Sequence, residues 1–236
     1  MSELAVVLAA GYGTRLGPVG LLRHRSTFAV NGIPLLVRAL DALSEGGITE
    51  TIVVTGHLGE QVEGLIAAYG SSRAFRCRTV RDSQPRGTLG SLRCARHMID
   101  GRPFISAESS VLVSRKVVHD LRLRGEGTPE VSAVLGLTDT LASAPTHSLA
   151  AVGETNEVCC FVRAGNAAAL VPGGKGVGRF MGIGLFDERL FQAGMDAIDV
   201  ADGIIEMLLR DERVTAVWDD GSFRHFSSVS DFTDES

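Results

Sequence analysis

Only two lysines, Lys116 and Lys175, occur among the 236 residues, so arginine carries nearly all the positive charge. The four cysteines, Cys77, Cys94, Cys159 and Cys160, form no CxxC pair and show no metal-ligand spacing. That excludes a zinc-ribbon or disulfide-framework reading and leaves reduced thiols as the expectation. No apolar run approaches the ~20 residues that cross a bilayer. The N-terminus shows no charged region followed by an apolar stretch and a cleavage site, so no signal peptide is read. A cytoplasmic protein without a membrane partner is expected. Formal net charge is −5, which gives no global basic footprint for nucleic acid. An anionic ligand must therefore meet a local positive site.

What is present is an ordinary globular balance, 44% hydrophobic and 22% charged. Leu4–Ala10 is a continuous apolar run, the pattern of a strand buried on both faces. Helical spacing follows over Pro34–Leu43, Leu58–Tyr69, Thr88–Ile99 and Ser114–Leu123. Strands are read at Thr51–Thr55, Arg76–Arg81, Pro103–Ala107 and Val131–Leu137. This alternation predicts an α/β fold with three layers, α/β/α, around a mixed, mostly parallel sheet. After Thr138 the texture changes. Ser148–Gly153 and Glu157–Arg163 read as an antiparallel pair, and Gly173–Gly176 as a loop. Phe180–Phe186 reads as a strand, Asp187–Ala193 and Ala201–Leu209 as helices. Val214–Trp218 and Phe223–Phe226 read as a closing hairpin turned at Asp219, Asp220 and Gly221. The chain 1–236 is expected to be one domain, with a small antiparallel lobe in its second half.

The loop after the first strand carries the chemistry. Leu8-Ala9-Ala10-Gly11-Tyr12-Gly13-Thr14-Arg15-Leu16 follows a buried strand. Glycines at 11 and 13 let backbone approach a ligand and reach φ > 0. Successive N–H groups there can cradle phosphate, and Arg15 adds a planar donor fork. No Gly-Lys-Ser/Thr follows, so this is not a Walker loop, and the third glycine of the dinucleotide fingerprint is missing.

This loop, continued to Gly17-Pro18, resembles the signature of the sugar-nucleotide and related nucleotidyltransferases, which include phosphocholine and phosphonate enzymes. Val30–Leu36, Ile52–Val62, Gly87–Leu92, Gly182–Phe186 and Trp218–Phe232 resemble later segments of that family in order. The resemblance implies a Rossmann-like fold, with 1–137 as nucleotide-binding half and 138–236 as acceptor-binding half. It implies attack by an acceptor phosphate or phosphonate oxygen on the α-phosphate of a nucleoside triphosphate, with pyrophosphate leaving. Such catalysis is mostly positioning and charge neutralisation. Residue by residue, Arg15 matches the signature arginine and Arg25 the following lysine position, both catalytic. Gln84, Gly87 and Thr88 match the segment facing the base, and Glu108, Arg163 and Gly182 the acceptor side. The family also holds Mg²⁺ with two aspartates. Those positions fall on Ser110 and on Ser227, or on His225 in a neighbouring register. Glu108, Asp219 and Asp220 are the substitute carboxylates.

Two functions follow. One is a nucleotidyltransferase, with CTP favoured because the Glu108-Ser109 context resembles the cytidylyltransferase branch, acting on a small phosphorylated acceptor. The other is an inactive or impaired homologue that binds nucleotide or a partner protein. A homodimer is a further expectation. His57 is read as a loop or core residue that can face the cleft, His97 and His119 as structural, and Met181 and Met195 as packing residues. Cys159 and Cys160 are read as strand residues with one thiol on each face.

Overall fold

The computed structural model describes residues 3–70, 76–126, 130–139, 147–170 and 174–233. In the first half β1 (Leu4–Ala9) leads through the glycine loop to a short helix α1 (Pro18–Leu22). A small pair β2 (Ala29–Val30) and β3 (Ile33–Pro34) precedes α2 (Leu35–Glu45). Then come β4 (Glu50–Thr55), α3 (Gly59–Gly70), β5 (Arg76–Arg81), α4 (Thr88–Ile99), β6 (Phe104–Glu108), β7 (Val111–Leu112) and α5 (Arg115–Glu126). The second half holds β8 (Val131–Thr138), β9 (Leu149–Val152), β10 (Val158–Val162), β11 (Gly176–Phe186), α6 (Glu188–Ala193) and α7 (Val200–Leu209). The chain ends with β12 (Arg213–Trp218), β13 (Arg224–His225) and α8 (Ser230–Thr233).

Every residue of β1 is buried. Its side chains alternate between two cores, as the two-residue period of a strand requires. Leu4, Val6 and Leu8 join one cluster with Leu89 and Leu92 of α4 and Ile204 and Met207 of α7. Ala5, Val7 and Ala9 join the other, with Leu36 and Leu40 of α2, Val62 and Ile66 of α3 and Val117 and Leu121 of α5. Helices thus cover both faces of the sheet, giving the three layers the sequence predicts.

Nine strands form the main sheet, in the path β10-β9-β11-β6-β1-β4-β5, with β8 on β11 and β12 on β8. Strands β6, β1, β4 and β5 are parallel. The antiparallel strands of the second half, the antiparallel part the sequence predicts, extend this same sheet. Along β11 the partner changes: Gly176–Arg179 pairs with β9, and Ile183–Phe186 pairs with β6. The fork lies at residues 180–182. There the register against β8 also shifts, between Phe180 and Gly184. Gly182 turns through the fork at φ 75°, a left-handed conformation that disfavours a side chain. A fork at the carboxyl end of β6 opens the sheet where open α/β sheets take ligands.

The expected closing hairpin does not form. β12 runs parallel to β8, and β13 pairs antiparallel with β7. Asp219 accepts hydrogen bonds from the backbone N–H groups of Gly221 and Phe223, so the Asp-Asp-Gly segment is indeed a turn. Burial then redirects the chain: Phe223 and Phe226 are buried, the latter against Val30, Leu35 and Phe232. That draws residues 223–226 across to the end of β6. The β9–β10 pair forms around Asn156, which sits at φ 66°. Gly173 lies outside the described residues, and Gly176 already belongs to β11. Met181 is buried as expected, but Met195 is 75% exposed, on a turn after α6 that leaves it no core to enter. Among the described residues no helix is long and apolar enough to cross a membrane.

Candidate active site

A cavity of about 600 Å³ opens at the carboxyl ends of β1 and β6 and at the fork in β11. Its phosphate-facing wall is the loop. Leu8, Gly11, Gly13, Thr14 and Arg15 line it. Gly13 adopts φ 63° and caps a short 3₁₀ turn over Thr14–Leu16, and Gly17 closes that turn at φ 58°. Gly11 does not use a positive φ; its surroundings are open, with nothing near where a Cβ would stand. Ala9 and Ala10 are buried behind the loop and do not line the cavity, and Tyr12 is 52% exposed. The Tyr12 ring instead lies 5.3 Å from the ring of His57, whose Nε2 meets the Gly20 carbonyl at 3.0 Å. His57 therefore braces the outside of the loop.

Arg25 also lines the cavity. The segment before it is fixed by His24, which is buried, and whose backbone N–H donates to Gln61 Oε1 at 2.8 Å. His24 Nδ1 accepts the Ser26 N–H, and the Ser26 hydroxyl donates to Ser109 Oγ at 2.7 Å. Burial, with Arg25 and His57 adding to it, lowers the His24 pKa to about 4, so the ring is neutral near pH 7. No motif marked His24; its signal was only its place beside Arg25.

Gly87 and Thr88 line the cavity, whereas Gln84 does not. Gln84 donates its N–H to Asp82, which in turn accepts from Ser91 on α4. The Gly87–Thr88 end is clasped by Asp199, whose Oδ1 accepts from the Thr88 N–H at 3.0 Å and from its hydroxyl at 3.3 Å. A Cβ on Gly87 would stand 2.6 Å from that carboxylate oxygen, at a backbone φ of 84°. Arg163 lines the same region and is ion-paired to Asp199 at 3.2 Å and to Asp202 at 3.1 Å. Asp199 was missed in the sequence because it belongs to a helix start over a hundred residues away from the loop it clasps.

Glu108, at the end of β6, forms the far wall with Gly182, where a Cβ would stand 3.2 Å from the Glu108 carboxyl. Burial raises the Glu108 pKa; Arg25 and Arg15 partly offset this, and Asp199 adds to it. Burial lowers the pKa of Arg25, and Glu108 opposes that shift. His147 and His225 complete the wall, His147 Nε2 and His225 Nδ1 lying 2.9 Å apart. Burial, then His147, Arg25, Arg15 and Arg179, drive the His225 pKa down to about 3. His147 had not been singled out.

The positions the resemblance gives to metal ligands do not fit Mg²⁺. The Ser110 side chain is buried, is not part of the cavity lining, and bonds to the Glu108 carboxyl instead. Ser227 is off the cavity as well, its N–H and hydroxyl both taken by Asp231. Asp219 and Asp220 are elsewhere, closing their own turn and accepting from Ser114. His225 is on the cavity but offers nitrogen, whereas Mg²⁺ selects carboxylate and other oxygen donors. Among the described residues no group of three or more His, Cys, Asp or Glu could hold a metal ion.

Residues 5–136 match the MobA-like NTP transferase domain. The CMP-5′-(3-aminopropyl)phosphonate synthase of Streptomyces rubellomurinus is 36% identical over 132 residues, 55% of this chain and 20% of that protein. A probable mannose-1-phosphate guanylyltransferase of Oryza sativa subsp. japonica is 27% identical over 46% of this chain and 31% of its own length. The chain thus spans a third or less of these two relatives. The N-acetylmuramate α-1-phosphate uridylyltransferase of Neisseria meningitidis is 26% identical over 84% of this chain and 80% of its own length. In fold, UDP-glucose pyrophosphorylase complexed with UDP-glucose superposes with a TM-score of 0.85 at 17% identity, over 100% of this chain and 97% of that one. The inositol-1-phosphate CTP transferase of T. maritima gives 0.78 at 13% identity, over 98% and 91%. With more than half its length matched by that model, the chain belongs to the MobA-like NTP transferase family.

Proposed function

We propose that the chain is a nucleotidyltransferase that moves a nucleoside monophosphate from a nucleoside triphosphate to a small phosphorylated or phosphonate acceptor. The observation that carries this is one cavity lined together by Gly11, Gly13, Thr14, Arg15 and Arg25 and by Glu108, Arg163 and Gly182. The loop amides and Arg15 take the phosphates, Arg25 takes charge that develops on the leaving pyrophosphate, and Gly87–Thr88 faces the base. The acceptor oxygen forms a bond to the α-phosphorus as the bond to the bridging oxygen of pyrophosphate breaks. The positioned cations lower the barrier by neutralising the charge that develops on the phosphates. CTP is the favoured donor, in line with the phosphonate synthase named above. One domain over 1–236 and a homodimer complete the proposal.

A second reading has its own support. The metal positions lack aspartate, and Arg163 is already held by Asp199 and Asp202. Under that reading the chain binds nucleotide, or a partner protein, without turnover. Pyrophosphate release separates the two. The protein is incubated with each nucleoside triphosphate and a panel of sugar phosphates, phosphocholine, inositol phosphate and phosphonates, in Mg²⁺, in Mn²⁺ and in EDTA. Release with one pair establishes the transferase. Nucleotide binding with no release from any pair sinks it and leaves the binding reading.

A further inference from the structure

Arg15, Arg25 and Arg163 line the cavity beside two carboxylates, Glu108 and Asp199, and no carboxylate stands at Ser110, Ser227 or His225, the positions that match the family's metal aspartates. Of the two carboxylates on it, Asp199 is already committed, bound by Thr88 and Arg163. Glu108 is a single carboxylate, and among the described residues no group of three or more His, Cys, Asp or Glu could hold a metal ion. The paired histidines spend one ring nitrogen each on one another, at 2.9 Å. Imidazole nitrogen also suits zinc, copper or nickel better than Mg²⁺. Ser110 is neutral, buried and behind the wall, and Ser227 is tied to Asp231. A divalent cation entering here would find one unpaired carboxylate, Glu108, on the same cavity as Arg15 and Arg25. A polyanion would meet two guanidinium groups, and guanidinium binds phosphate through paired, charge-assisted hydrogen bonds.

We propose that this cavity binds a nucleoside triphosphate free of divalent metal, with Arg15 and Arg25 supplying the charge neutralisation that Mg²⁺ supplies in the family it resembles. The proposal rests on the nucleotide reading given above and specifies its chemistry. Metal-free triphosphate carries more negative charge than its Mg²⁺ complex, so it is the better ligand for an arginine-lined site. The cation competes for the same phosphate oxygens as the two arginines.

The test is isothermal titration of the full chain with CTP, and in parallel ATP, GTP and UTP, once in EDTA and once in Mg²⁺ at equal ionic strength. The expected result is binding in EDTA that is equal to or tighter than in Mg²⁺, within about threefold if equal. A nucleotide that binds more than about threefold tighter with Mg²⁺ overturns the proposal and leaves the nucleotide reading standing. No binding of any of the four in either buffer overturns both. Arg25→Ala should weaken binding in EDTA by at least about tenfold, the scale of one lost charge-assisted hydrogen bond, and Arg25→Lys should recover part of it. Circular dichroism of both variants reports whether they fold. A folded Arg25→Ala that binds in EDTA as the parent does also overturns the proposal.

Discussion

Two walls of one cavity are built in opposite ways. The loop wall is local: a buried strand, a left-handed Gly13, a 3₁₀ turn and Arg15 follow one another within Leu4–Leu16. The opposite wall is assembled from distant segments. Phe226 donates its N–H to the Ser110 carbonyl, and Val111 pairs with His225. The two also differ in what they retain. The loop sets Gly11, Gly13, Thr14 and Arg15 together on the cavity. The opposite wall is joined by strand pairing and carries His225, while Ser110, beside it in the chain, lies off the cavity, and neither is the carboxylate expected of a metal ligand. Backbone pairing tolerates such exchange because its hydrogen bonds do not involve the side chain, whereas metal affinity depends on the donor atom. The difference teaches that a fold can conserve the shape of a wall while its chemistry changes.

The largest effect is expected at β6, which pairs with β1 beneath the loop and with β11 beneath the other wall. Phe104 on β6 is fully buried, with its ring 5.8 Å from that of Phe191 and 6.4 Å from that of Phe186. Phe104→Ala should cost about 3–5 kcal/mol of stability, read as the shift of the urea midpoint. If the walls are one cooperative unit, the loop and the His225 signal are lost in a single transition. Two separated transitions would show that they are independent.

Acid provides the next test, because each side of the cavity holds a buried neutral histidine. The folded pKa values of His24 and His225, about 4 and about 3, lie below the ordinary 6.5. Stability from keeping each ring neutral is therefore fully present above pH 6.5. It is lost as pH falls toward 4 and 3, by something on the order of a few kcal/mol in all. Urea unfolding at a series of pH values checks this, and His225→Gln should flatten the lower part of the fall. Unchanged stability between pH 6.5 and 4 would show that neither ring is held neutral. Glu108 has the opposite sign: its raised pKa means stability is lost as pH rises above 4.5, so Glu108→Gln should gain most at neutral pH. A smaller effect is expected at the loop itself. Arg15→Ala should weaken CTP binding by about ten- to a hundredfold, the range for hydrogen bonds from a charged donor. Unchanged affinity would mean the loop does not hold phosphate.

How much could be read in advance follows the same division. The strands β1, β4, β6 and β8 were legible because parallel strands buried on both faces leave continuous apolar runs. The loop was legible because its glycines and arginine are adjacent. The hairpin expected at Val214–Phe226 failed for a non-local reason: Phe226 gains more by entering the pocket of Val30 and Leu35 than the chain gains by folding back on itself. Asp199 and His147 were invisible for a related reason, since each becomes part of the cavity only when β11 forks at residues 180–182 and brings its neighbours round. Short-range pattern carries strand identity; it does not carry which loops a fork gathers.

The smallest expected effect bears on Ser227, the residue placed where a metal ligand was expected. Asp231 Oδ2 accepts from the Ser227 N–H at 2.7 Å, from its hydroxyl at 3.3 Å and from the Ser228 N–H at 2.7 Å. The carboxylate thus closes the turn that leads into α8. If Ser227 serves only this turn, Asp231→Ala should cost about 1 kcal/mol, the value of a lost capping interaction, with CTP affinity unchanged. If Ser227 instead orders the cavity wall, affinity should fall along with stability. Calorimetric binding and urea unfolding on the same variant decide it. A fall in affinity without a fall in stability would place Ser227 in ligand contact and move the boundary between the two walls by two residues, from His225 to Ser227.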